Sequence, residues 1–176
     1  MIAHVPFAAL AAVLLTAGCA TLPAGPAPMP RAVDADVNSW GKPLAAWHVD
    51  ASGGGWYRRA EQVEGGGFHD YRLVTRKLAI GEEGFRALVA ILEPAEPFSV
   101  RPLDCRREIT DQPYGTVAWT YPAGAQALRY DLGCRGAHSD VVYGAIGSAM
   151  KHIESLAHDA PVVETKTVGQ PDTPQE

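Results

Sequence analysis

Asp111 is the carboxylate with the most suggestive setting in this 176-residue chain. It stands in Thr110-Asp111-Gln112-Pro113-Tyr114-Gly115, where the proline stiffens the backbone and a glycine follows. A carboxylate on a rigid turn suits a general base or a ligand contact. The bland role for the same residue is an Asx-turn, its oxygens accepting backbone N–H groups ahead of Pro113, and this role is the commoner one. Asp111, Pro113 and Tyr114 are the candidate functional turn. A second set is basic: Arg101, Arg106 and Arg107 stand around Cys105, and Arg135 follows Cys134. A bond between those cysteines would gather the arginines into a site for a phosphate, a carboxylate or an anionic glycan. A solvated rim paired with Asp104 and Glu108 is the plainer outcome.

Known catalytic templates do not fit. Gly147-Ser148 lacks the flanking glycines of a nucleophile elbow, and His152-Ile153-Glu154 is not the zinc-protease motif. The glycine runs at 53–55 and 65–67 match no phosphate or dinucleotide fingerprint. His48, His69, His138, His152 and His158 are scattered, and the last two fall about 240° apart on a helix, not one above the other. No catalytic residue, metal ligand or cofactor is therefore assigned. Trp40, Trp47, Trp56 and Trp119 offer stacking surfaces for sugars, although burial is the commoner fate of tryptophan.

These residues must be positioned by strands and two helices. Residues 45–49 and 56–59 flank Asp50-Ala51-Ser52-Gly53-Gly54-Gly55, the pattern of a hairpin. Residues 69–80 carry apolar side chains on both faces, which predicts a central strand covered on both sides at one end. From Glu82 the period changes: Phe85, Leu88, Val89 and Leu92 make one stripe of a helix that Pro94 stops. Val117, Trp119 and Tyr121 alternate with polar or small residues. After Tyr121-Pro122-Ala123-Gly124, Leu128, Tyr130 and Leu132 alternate with Arg129 and Asp131, a second hairpin. Ser139 or Asp140 is placed to cap a last helix with Val142, Ile146, Met150, Ile153 and Leu156 or Ala157 as its stripe. Gly144 and Gly147 in that helix predict close approach to the sheet. The expected fold is α+β: an antiparallel sheet of about five to six strands with two helices on one face.

The chain ends differ from this middle. Residues 1–18 contain no Asp, Glu, Lys or Arg, and their apolar run falls short of the about 20 residues a spanning helix needs, so they read as a signal peptide. Leu14-Leu15-Thr16-Ala17-Gly18-Cys19 resembles the bacterial lipobox. The resemblance implies diacylation of Cys19. With Ala20 rather than aspartate next, it also implies an outer-membrane anchor facing the periplasm. Residues 19–38, with Pro23, Pro26, Pro28 and Pro30, are expected to be a lipid-anchored tether. Residues 39–158 would then be one domain and 159–176 an acidic, disordered tail. With Cys19 given to lipid, Cys105 and Cys134 remain, and in an exported protein the default is that they pair. Pairing holds the Cα atoms about 4.4–6.8 Å apart, so residues 98–105 are expected to run as a strand-like neighbour of the second hairpin.

The order hairpin, strand, helix, Thr110-Asp111-Gln112-Pro113 with Tyr114-Gly115, hairpin and helix resembles a group of uncharacterised bacterial exported domains of unknown function. That resemblance implies no activity. The formal net charge of −5 includes −3 from the tail, where Asp159, Glu164, Asp172 and Glu176 outweigh Lys166, so nothing points to nucleic acid. The leading expectation is a non-enzymatic, lipid-anchored envelope protein that binds another envelope protein or a cell-wall polymer. The alternatives are a small periplasmic hydrolase or transferase using Asp111 with His69 or His138, and an inhibitor of cell-wall lytic enzymes. The sequence sets no oligomeric state.

Overall fold

A computed structural model describes residues 28–169. The chain enters through β1 (Ala32–Ser39) and turns into β2 (Lys42–Asp50) over Trp40 and Gly41, both at positive φ (51° and 75°). Such two-residue turns match the natural twist of paired strands. β3 (Gly54–Gln62) and β4 (Tyr71–Ala79) follow, then helix α1 (Gly81–Leu92). A 3-10 turn at Glu96–Ser99 leads to the short β5 (Arg107–Glu108). β6 (Tyr114–Tyr121) and β7 (Gly124–Asp131) form the second hairpin; β8 (Cys134–Arg135), helix α2 (Ser139–Ala157) and β9 (Val162–Val168) complete the chain.

The seven long strands make one antiparallel sheet in the order β7-β6-β1-β2-β3-β4-β9, and β5 pairs with β8 alongside it. One face carries Val33, Trp47, Val49, Tyr57, Leu78, Val117, Trp119, Leu128 and Tyr130. Both helices cover this face, α1 with Phe85, Leu88 and Leu92, and α2 with Val142, Ile146, Ala149 and Ile153. Ten large apolar side chains or more leave water here, each worth about 1.5–3 kcal/mol before chain entropy is counted, so this layer drives folding. The fold is α+β as expected, with more strands than about five to six.

The two additional strands come from the segments read as tether and tail. Residues 32–38 lie in the sheet's interior, because Val33 and Ala35 point into the core while Asp34 and Asp36 point away. β9 is an edge strand, exposed over nearly its whole length and held by its backbone pairing to β4. The covering of β4 on two faces at one end is present: Tyr71 is buried beneath Lys42 and the 64–70 loop.

Three local expectations are corrected. Among the described residues, Gly144 and Gly147 do not approach the sheet, for a Cβ on either would meet no atom outside the local helix backbone within 4 Å. α2 has no side-chain cap; Ser139 Oγ instead accepts the Gly136 N–H at 2.7 Å. Residues 98–105 form no strand, since Pro97 and Pro102 interrupt the chain. The neighbour of the hairpin's end is the chain around β5, where Arg106 N–H donates to Arg135 O and Ile109 N–H to Gly133 O, each at 2.9 Å.

Candidate functional site

Cys105 and Cys134 are disulfide-bonded with Cα atoms 5.2 Å apart. The bond does not merge the arginines into one pocket. Arg101 lies over the Phe98 ring, Arg106 pairs with Asp104 at 2.7 Å, and Arg135 reaches Asp140 at 4.0 Å and lies over Tyr143. Arg107 and Arg135 stand opposite each other in the short β5–β8 ladder. All four are exposed. Like charges directly across a ladder repel.

The turn at 110–115 is a structural joint. Asp111 adopts the left-handed region at φ 65°, is exposed, and makes no side-chain hydrogen bond among the described residues, so the Asx-turn does not form there. Pro113 O accepts the Leu132 N–H at 2.9 Å, continuing the β6–β7 ladder past its end. Tyr114 Oη accepts the Gly41 N–H at 3.3 Å, fastening the turn to the β1–β2 hairpin. His69 packs edge-on against Phe68 and His138 at a tilt against Phe98, and neither is hydrogen-bonded to Asp111. Cys19 lies outside the described residues.

The face of the sheet away from the helices holds what the sequence reading passed over. β1 presents Asp34 and Asp36 there, because they alternate with the buried Val33 and Ala35. Register places Asp34 opposite His48, and His48 opposite Trp56. His48 Nδ1 lies 2.7 Å from Asp34 Oδ1, and its ring is stacked on Trp56 at 6.5 Å between centroids and 22° between planes. Arg58 lies over the same indole at 5.3 Å, and its Nε donates to Thr75 Oγ1 at 2.9 Å. One guanidinium N–H of Arg58 then donates to Glu164 Oε2 at 3.0 Å. Asn38 donates to the Asp36 carboxylate.

Between these groups Ala46 and Ala118 are too small to fill the surface. They leave a concavity of about 330 Å³ walled by Asp34, Asp36, Trp56 and Thr116. Two carboxylates, a hydroxyl and an indole thus surround one shallow hollow, and the His48 imidazole supports it through Asp34 and Trp56. The signal in the sequence was the alternation of Val33, Ala35 and Val37 with Asp34, Asp36 and Asn38. Among the described residues, no three His, Cys, Asp or Glu side chains are grouped to hold a metal ion.

Two further features border this face. At one end Lys42, only 8 % exposed, donates to Gln62 Oε1 and Phe68 O at 3.0 Å each, between the rings of Phe68 and Tyr71. That cation fixes the 64–70 loop. On the β7 side, a cleft of about 600 Å³ runs between residues 127–131 and residues 98–105, with Phe98, Leu103 and Tyr143 in its wall.

Comparison of the chain with family models, curated proteins and solved structures finds no match.

Proposed function

We propose that this chain is a lipid-anchored protein of the cell envelope whose domain binds a cell-wall glycan on the helix-free face of its sheet. The observation that supports this reading is the hollow walled by Asp34, Asp36, Trp56 and Thr116, with His48 bonded to Asp34. A sugar ring has an apolar face that stacks on an indole and a rim of hydroxyl groups that carboxylates accept from. Trp56 is partly exposed and packs against both His48 and Arg58, so little side-chain freedom is lost on binding. The lipobox at Thr16-Ala17-Gly18-Cys19 supplies the envelope location in this reading. Among the described residues, no helix is long and apolar enough to cross a membrane.

The test is co-sedimentation of the mature protein with purified peptidoglycan sacculi. The parent should pellet with the polymer, and Trp56→Ala combined with Asp36→Asn should weaken binding at least about tenfold while leaving the melting curve near that of the parent. A parent that stays in the supernatant, or a double variant that pellets equally well, sinks the glycan reading.

A further inference from the structure

The edge strand β7 carries a second site, distinct from the hollow. Its register with β6 runs from Tyr114↔Asp131 to Tyr121↔Gly124. Leu132 N–H donates to Pro113 O, and the two residues are opposite in the continuation of that register. In an antiparallel ladder the bonded positions alternate. Gly124, Gln126, Leu128 and Tyr130 therefore direct their N–H and C=O groups toward β6, while Ala125, Ala127, Arg129 and Asp131 direct theirs outward. Asp131 confirms the phase, since its outward carbonyl accepts the Tyr143 hydroxyl at 2.7 Å. The outward groups of Ala125, Ala127 and Arg129 have no partner among the described residues.

A row of unpaired backbone groups on an edge strand is a template for another strand. Ala127 and Arg129 line the cleft of about 600 Å³, and Ala125 lies just beyond its end. We propose that this cleft takes an extended peptide segment of a partner protein, added as an eighth strand beside β7. A strand beside β7 sits about 4.8 Å away and needs roughly five residues to span positions 125–129. Its side chains would alternate. Those on the helix side meet Leu128, Phe98, Leu103 and Tyr143, so they are apolar; those on the other side lie beside Ala127 and Arg129, so they are polar. The far wall, residues 98–105, is pinned at its end by the Cys105–Cys134 bond. That wall reaches over β7, where Ser99 Oγ donates to Gln126 Oε1 at 3.0 Å, and so obstructs the edge of a second folded sheet, which argues for a peptide over a second copy of this chain.

The probe is an array of hexapeptides with Val, Leu or Phe at alternate positions and Ser or Thr between them, screened against the full mature protein. Binding peptides should lose at least about tenfold in affinity against Ala127→Pro, which deletes one outward N–H that no ladder bond uses, and should bind Ala127→Val like the parent. Bound peptide should slow amide exchange at Ala125, Ala127 and Arg129 and leave Gln126 and Leu128 unchanged. N-methylation at alternate peptide amides should abolish binding in one phase only. Three results overturn the proposal: no peptide binds, binding ignores both Ala127→Pro and N-methylation, or Ala127→Pro changes self-association of the protein instead. Because sacculus binding is read on the other face, the two sites succeed or fail separately.

Discussion

At the scale of single residues, the tyrosines lining the sheet make a pH limit. Tyr130 is 5 % exposed, and its hydroxyl donates to Asp36 O at 2.9 Å. Loss of water, and then the Asp36 charge, push its pKa well above the ordinary value near 10. Tyr121 is raised as well, by burial and by its bond to Glu96, and Tyr57 by burial. Below about pH 10 these groups are neutral in both folded and unfolded chains, so their contribution is fully present. Above it the unfolded chain ionises while the folded one resists, so stability is lost as pH rises toward the folded values. Stability read from urea unfolding should hold steady from about pH 8 to 9.5 and fall above 10, by up to about 1.4 kcal/mol per pH unit for the buried Tyr130 and by less for the others. Tyr130→Phe should make that fall shallower, at a cost near neutral pH of about 1 kcal/mol for the lost hydrogen bond. A variant with the same alkaline slope as the parent would remove Tyr130 from the set.

At the scale of elements, the disulfide works on a weakly structured segment. Residues 100–106 have few regular partners, and the β5–β8 ladder is only two residues long on each side. The Cys105–Cys134 bond spans 29 residues of sequence, so it removes appreciable freedom from the unfolded chain. Cys105→Ser with Cys134→Ser should lower stability by about 2–4 kcal/mol, read from urea unfolding. The far-ultraviolet spectrum should not change, because the seven-stranded sheet and its helix-covered face do not depend on the bond. Widened exchange of the 98–105 amides without loss in the sheet would place the effect where the structure puts it. Loss of the sheet signal would show that the bond is needed for the fold itself.

For the whole molecule, chain length limits how far the proposed anchor could stand from the domain. If Cys19 carries the proposed lipid, the residues between it and the start of the sheet at Ala32 would span at most about 40 Å. β1 then runs away from its start, so Trp40 and the Phe68 loop lie about 25 Å further along the sheet. Cys19→Ala should abolish incorporation of a fatty-acid analogue and release the protein from the membrane fraction. Label retained in that variant would refute the lipobox.

The sequence by itself determined the layered class, the paired cysteines, both hairpins and both helices, because each leaves a local trace: period two, period 3.6, or a turn residue. Leu128 and Tyr130 pointed inward for that reason. The traces failed at β1 and β9. Short side chains and acids made β1 resemble a tether, and β9 is held by backbone bonds to β4 that no side-chain pattern records. The hollow followed from the same gap. Asp34, His48 and Trp56 are 14 and 8 residues apart in the chain. They become neighbours only when three strands align in one register, and which residues stand opposite one another across strands is decided by tertiary pairing.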